Sequence, residues 1–246
     1  MHKTLHHRSV WSVDALTRDD LRALLDMARS LKHAARAGAP QPLLRGKNLA
    51  LLCDAEGGGP CDMFRDAATA LGAQVARIRP SEARLLDVAS VQQSARVLGR
   101  LYDAIECEGM PPELVDEVER ESAVPVFNGL CGDAHPVRAL AALVTMAEDG
   151  GKPLSALSLC VLGDPQQPHN QALLRAATLA GMHPFTAASA TGIDTDFVWD
   201  DRAAAGGDAP LLLATARGDA VPRSCARQQA ENKAFVLQAL LVSTMM

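Results

Sequence analysis

Aromatic residues make up only 3% of this 246-residue chain. A core must therefore be filled by Leu, Val and Ala instead of large rings. Cationic charge is scarce as well: 24 basic against 29 acidic side chains leave a formal charge of −5. A nucleic-acid protein needs a basic face, and this balance argues against one. No apolar run reaches the ~18 residues of a membrane span. Met1 to Val10 has cations with no apolar stretch behind them, so no secretory signal is expected. The six cysteines, at 53, 61, 107, 131, 160 and 225, form no C-x-x-C pair, and zinc-site spacing is absent. His2, His6 and His7 read as a frayed terminus rather than a metal site, so neither a metal nor another cofactor is expected. Four cysteines lie in or beside apolar runs, as buried thiols do, which fits a reducing, cytoplasmic compartment.

What is present is an alternation of strand and helix patterns. Thr17 is placed as the N-cap of a helix carrying Leu21, Leu24, Leu25, Ala28 and Leu31 on one stripe. Asn48 to Cys53 reads as an apolar strand buried on both faces. Strands at 74–78, 103–107 and 124–127 then alternate with helices after Gly59, at 91–101, at 112–122 and after His135. Such alternation implies a parallel sheet with helices on both faces. The run Asp149-Gly150-Gly151-Lys152-Pro153 interrupts it. A second series has strands at 157–162, 183–187 and 211–215, and a helix near 170–180. From Ala188 to Pro210 there is little periodicity, and a loop is expected. Ala226 to Thr244 reads as a long closing helix. The expected organisation is an α/β chain of two parallel-sheet domains, 1–149 and 150–225, with 226–246 as a final helix. Asp14, Asp19, Asp20 and the acidic run Glu113 to Glu121 read as solvated helix faces.

Several residues could carry chemistry. Gly57-Gly58-Gly59-Pro60 lies between a strand end and a helix start, where open α/β sheets bind ligands. Backbone N–H groups and the helix dipole favour an anion there. The loop fits neither Walker nor G-x-G-x-x-G spacing, and by itself it also reads as a flexible turn. Cys61 sits in the helix's first turn, which can activate a thiol, but with no basic partner nearby in sequence it reads first as a half-buried, inert Cys. His135 opens a helix and could polarise a carbonyl or simply cap it, with Arg138 one turn on. Gln167 belongs to a polar loop after Gly163-Asp164, a place for a small ligand or for solvent.

Read in series, certain segments resemble the ornithine carbamoyltransferases of the aspartate/ornithine carbamoyltransferase superfamily. They are Leu44-Arg-Gly-Lys-Asn-Leu-Ala-Leu-Leu52, Ser94-Ala-Arg-Val-Leu-Gly-Arg-Leu-Tyr-Asp103, Val124-Pro-Val-Phe-Asn-Gly-Leu130, His135-Pro136, Gly151-Lys-Pro-Leu-Ser155 and Gln229-Ala-Glu-Asn232. The resemblance implies a carbamoyl-phosphate domain, an ornithine domain and a last helix returning to the first domain. It also implies a homotrimer with active sites between subunits.

The family's functional motifs are degraded. Its Ser-Thr-Arg-Thr-Arg phosphate loop falls on Gly57, Gly58, Gly59, Pro60 and Cys61, and a further arginine on Glu108. His-Pro-Thr-Gln survives as His135, Pro136, Val137 and Arg138. The last helix's arginine becomes Lys233, and an ornithine-binding asparagine becomes Gln167. The Ser-Met-Gly and His-Cys-Leu-Pro motifs are not found, and the second domain is shortened between Phe185 and Pro210. The expectation is a carbamoyltransferase-like protein that has lost efficient carbamoyl transfer. Its role would be binding or regulation, with an amino acid or small anion as ligand, as a homotrimer or a trimer mixed with a paralogue. Two alternatives stay open: a repurposed transferase using a less charged donor through the glycine loop, His135, Arg138 and Lys233, and a thiol activity at Cys61.

Overall fold

The structure is a computed structural model that describes residues 5–54, 59–81, 85, 88–132, 135–188, 194–202, 211–215 and 223–246. The chain forms two compact units. The first comprises Met1–Trp11, Ser30–His135 and Leu237–Met246. The second comprises Ser12–Arg29 and Pro136–Val236.

Helix α1 (Arg18–Arg36) begins as its sequence predicts. The Thr17 backbone N–H donates to the Asp20 carboxylate at 2.9 Å, and the Asp20 N–H donates back to Thr17 Oγ1 at 3.1 Å. Such a reciprocal cap is worth about 1 kcal/mol. Asp20 is therefore buried, not on a solvated face as its charge suggested. Asp14, in a short 3-10 turn (Val13–Ala15), pairs with Arg175.

The first unit holds a four-stranded sheet of β1 (Asn48–Leu52), β2 (Gln74–Ile78), β3 (Ala104–Cys107) and β4 (Val126–Asn128). Its order is β2-β1-β3-β4, and every pairing is parallel. Helices α2 (Pro60–Ala70), α3 (Val88–Leu101) and α4 (Pro112–Ser122) connect the strands. The central strands β1 and β3 are buried from Leu49 and Ala104 onward, as strands with both faces covered are. One core cluster gathers Leu52 and Ile105 of the sheet, Val91, Ala95 and Leu98 of α3, and Val115 and Val118 of α4. α3 and α4 meet at Gly99, where a Cβ would lie 1.8 Å from the Ser122 carbonyl oxygen. In α4 the acidic run is not wholly solvated either: Glu117 is buried and pairs with Arg120.

The second unit holds α5 (Pro136–Asp149), β5 (Leu159–Leu162), α6 (Pro168–Leu179), β6 (Phe185–Ala187), β7 (Phe197–Asp200), β8 (Leu211–Ala214) and β9 (Arg223–Ser224). Its sheet order is β6-β5-β7-β8-β9. β5 pairs in parallel with β6 and β7, as an α/β pattern requires. On the other side the pairings β7–β8 and β8–β9 are antiparallel, so β8 alone is reversed. The expected loop from 188 to 210 is thus interrupted by a central strand: Phe197–Asp200 lies between β5 and β8, with Trp199 fully buried. Positions 189–193 and 203–210 lie outside the described residues.

Helix α7 (Ala226–Met245) closes the chain. From Leu237 onward it belongs to the first unit, and the Thr244 carbonyl accepts the His7 N–H at 2.9 Å. The final helix therefore returns to the first unit, as expected. Among the described residues no helix is long and apolar enough to cross a membrane.

Candidate functional site

In the first sheet the chain leaves β1 for β2 on one side and later reaches β3 on the other. That reversal opens a crevice at the carboxyl ends of β1 and β3, the usual ligand position of such sheets. Three segments border it: the one after β1, the one from Glu108 after β3, and the one from Gly129 after β4. The backbone ties them together. The Glu108 N–H donates to the Leu52 carbonyl at 2.9 Å, and the Gly129 N–H to the Cys107 carbonyl at 3.1 Å.

Of the predicted glycine loop, Gly57 and Gly58 lie outside the described residues. Gly59 adopts φ +62°, a conformation that side chains resist, and hands over to Pro60 at the start of α2. Cys61, in the first turn, is joined to Cys53 by a disulfide across the loop. This removes the alternative of a thiol activity at Cys61, since a disulfide sulfur carries no thiolate. Cys107, Cys131, Cys160 and Cys225 are buried and in no disulfide among the described residues. The segment from Cys53 to Cys61 contains Asp54 and Glu56 and no Lys or Arg, and Glu108 to Pro111 contains no cation either. Arg65, one turn into α2, is already paired with Asp62 and Asp66.

The structure adds a residue that sequence reasoning missed. Glu106 stands in β3 in register with Phe127, and 1% of it is exposed. Its Oε1 accepts the Leu130 N–H at 2.9 Å. Its Oε2 is buried and makes no hydrogen bond of good geometry. Burial pushes the Glu106 carboxyl up to about 8, the Glu108 carboxylate pushes the same way, and the N–H groups of Leu130 and Gly129 oppose. Glu106 is therefore a neutral acid at pH 7, in a strand whose other residues are apolar.

His135 is 5% exposed, and its Nε2 lies 2.9 Å from the Val10 carbonyl. That contact fixes Nε2 as the protonated nitrogen, because a carbonyl can only accept. The imidazole thus anchors the N-terminal segment of the first unit.

In the second unit an equivalent crevice forms where β5 neighbours both β6 and β7. Gln167 is exposed at the N-cap of α6 and makes no side-chain cap bond. The organised residues lie just beyond it. The Asn170 amide donates to the Asp164 carbonyl at 2.8 Å and to Asp201 Oδ2 at 2.7 Å. Its oxygen accepts from Trp199 Nε1 at 2.8 Å. His169 Nε2 meets the other Asp201 oxygen at 2.7 Å. Gly163, at φ +125°, lets Asp201 approach, since a Cβ there would sit 2.8 Å from the Asp201 Cβ. Arg138 is buried on α5 with its guanidinium 5.7 Å from the Trp199 ring centre, a cation–π stack. Lys233 is half-buried on α7.

Residues 8–148 match the family described as "Aspartate/ornithine carbamoyltransferase, carbamoyl-P binding domain". The chain belongs to that family. A catabolic ornithine carbamoyltransferase from Pseudomonas putida is 38% identical over 178 residues, covering 72% of this chain and 53% of that protein. A catabolic ornithine carbamoyltransferase from Burkholderia mallei is 39% identical over the same length, with the same coverage. The chain thus spans about half the length of the curated relatives it matches. Among solved structures, the ornithine carbamoyltransferase from Pyrococcus furiosus superposes with a TM-score of 0.74 at 19% identity, covering 98% of each chain. A carbamoyltransferase fold described as a putative aspartate carbamoyltransferase from Trypanosoma cruzi gives 0.75 at 17% identity, covering 100% of this chain and 99% of that one. At such identities the superpositions establish the fold alone.

Proposed function

We propose that this member of the carbamoyltransferase family no longer transfers a carbamoyl group from carbamoyl phosphate efficiently, and serves instead as a binding or regulatory subunit. The observation that carries the reading is the lack of Lys and Arg in the segments after β1 and β3. The sequence from Cys53 to Cys61 holds no Lys or Arg, and Glu108, beside the buried Glu106, stands just after β3. A dianion needs cations there. Each charge-assisted hydrogen bond is worth ~1.5–3 kcal/mol. Three missing guanidiniums, at ~1.4 kcal/mol per tenfold, therefore weaken a dianion by several orders of magnitude. The same cations would stabilise charge developing on a leaving phosphate, so the rate falls with the affinity. His135 cannot compensate, because its Nε2 is committed to the Val10 carbonyl.

In this proposal the chain works as a homotrimer, or as one subunit of a trimer with an active paralogue. Its ligand is an amino acid or a small anion held without carbamoyl phosphate. Remnants of the family's site, Gly59, His135, Arg138, Gln167 and Lys233, then act in structure and ligand retention. One observation favours a second reading, a repurposed transferase. A neutral Glu106 carboxyl suits a donor that brings less negative charge than carbamoyl phosphate. An assay of citrulline formation from ornithine and carbamoyl phosphate separates the readings from ordinary family activity. No turnover is expected, and turnover at ordinary enzyme rates would sink both.

A further inference from the structure

The second unit carries a cleft that neither crevice explains. It has a volume of about 700 Å³ and lies between the start of α1, the middle of α5, the turn that begins at Gly151 and the end of α6. Small-molecule sites span roughly 300–1,000 Å³. Three guanidiniums, Arg18, Arg22 and Arg29, line it together with the Lys152 ammonium, against a single carboxylate, Asp26. In a chain of net charge −5, this is a local reversal of sign.

Helix periodicity accounts for the grouping. Residues 18, 22 and 29 are spaced four and seven apart, so they project from one face of α1. Leu21 and Leu25, buried beside them, form an apolar floor with Val144 of α5. The charges are unequally engaged. Lys152 is held by Asp196 at 2.9 Å, and Arg29 is 4.0 Å from Asp26. Arg18 and Arg22 have no ion-pair partner among the described residues. Two unpaired guanidiniums, one turn apart over an apolar floor, make a fork-shaped receptor for carboxylate or phosphate oxygens. The floor also lowers the local dielectric, which strengthens attraction to an anion.

We infer that this cleft binds a small organic polyanion bearing phosphate or carboxylate groups, with Arg18 and Arg22 as its principal contacts and Arg29 closing the far end. The site is independent of the cation-poor crevice in the first unit, and its occupancy does not require carbamoyl transfer.

The test is calorimetric titration of the full chain with inorganic pyrophosphate in one arm and citrate in the other. Arg18→Gln/Arg22→Gln is the variant, and Arg96→Gln, on an exposed arginine of the first unit, is the control. Arg18 and Arg22 are exposed, so the double variant keeps its fold, which circular dichroism verifies. Saturable binding of at least one anion is expected, weakening as salt is raised. Each lost charge-assisted bond removes roughly tenfold or more in affinity. The double variant should therefore bind at least tenfold more weakly, with Arg96→Gln unchanged. Pyrophosphate alone identifies a phosphate ligand, and citrate alone a polycarboxylate. The inference is overturned if neither anion saturates at millimolar concentration. It is equally overturned if the double variant binds like the wild type, or if Arg96→Gln weakens binding as much.

Discussion

Glu106→Gln isolates the buried acid of β3. Gln keeps the volume and an oxygen to accept the Leu130 N–H, and it places an amide where Oε2 has no hydrogen bond. In the native protein the carboxyl is pushed from 4.5 up to about 8, first by burial and then by Glu108. In the unfolded chain it ionises at its ordinary value. Between those limits unfolding releases a proton, so the native state is progressively disfavoured as pH rises. The stabilising contribution of the protonated form is complete below pH 4.5 and is lost as pH climbs to about 8. At ~1.4 kcal/mol per unit, the loss approaches on the order of 5 kcal/mol at the upper end. Gln does not titrate. Its stability should therefore match the wild type near pH 4 and exceed it by several kcal/mol near pH 8. Urea melts followed by circular dichroism at one-unit steps across this range read the difference as a growing gap between midpoints. Parallel profiles, with a constant gap at every pH, would refute the assignment of Glu106 as a buried neutral acid.

Two further substitutions test the packing beneath the sites. Gly99→Ala sets a Cβ 1.8 Å from the Ser122 carbonyl oxygen. Overpacking at ~1–3 kcal/mol or more outweighs the ~1 kcal/mol gained in helix propensity, so thermal melts should show a destabilised protein, and a neutral or stabilised variant would deny the close approach of α3 and α4. Asn170→Ala removes three hydrogen bonds and strands Trp199 Nε1 and Asp201. At ~1 kcal/mol per bond the cost is about 3 kcal/mol, or roughly 6–12 °C in Tm for a chain of this size, and an unchanged Tm would show that the network carries no weight.

Much of the architecture is legible in the sequence because local pattern and tertiary role agree. β1 is apolar from Leu49 to Leu52 because it lies between β2 and β3 and is buried there. The Leu stripe of α1 and its Thr17 cap predict that helix and its first residue closely. β7 was illegible for the opposite reason. Phe197-Val-Trp-Asp200 is only four residues long amid Ala, Gly, Asp and Thr, and its strand character comes from lying between β5 and β8. The antiparallel course of β8 likewise depends on partners that periodicity does not report. Charged side chains misled wherever burial is compensated locally, as for Asp20 in its cap and Glu117 with Arg120.

The sites divide along the same line. The loop before α2, His135 and the polar turn after β5 were visible as strand-to-helix junctions. Glu106 was not, because its Leu130 partner lies 24 residues away, although one Glu in an otherwise apolar strand was an available signal. The Cys53–Cys61 pairing was hidden as well, because a separation of eight matches no metal or redox spacing. Asp201 and Trp199 were not legible because Trp199 lies within, and Asp201 directly after, this short strand in a stretch without periodicity.

The central claim is that a cation-poor crevice has replaced a dianion site. Calorimetric titration of the full chain with carbamoyl phosphate, in the presence of ornithine and with citrulline measured in the same samples, tests it most directly. The account predicts no saturable heat attributable to the first crevice, unchanged by Glu106→Gln, and no citrulline. Saturable carbamoyl phosphate binding that survives Arg18→Gln/Arg22→Gln, accompanied by citrulline formation at ordinary enzyme rates, would contradict it.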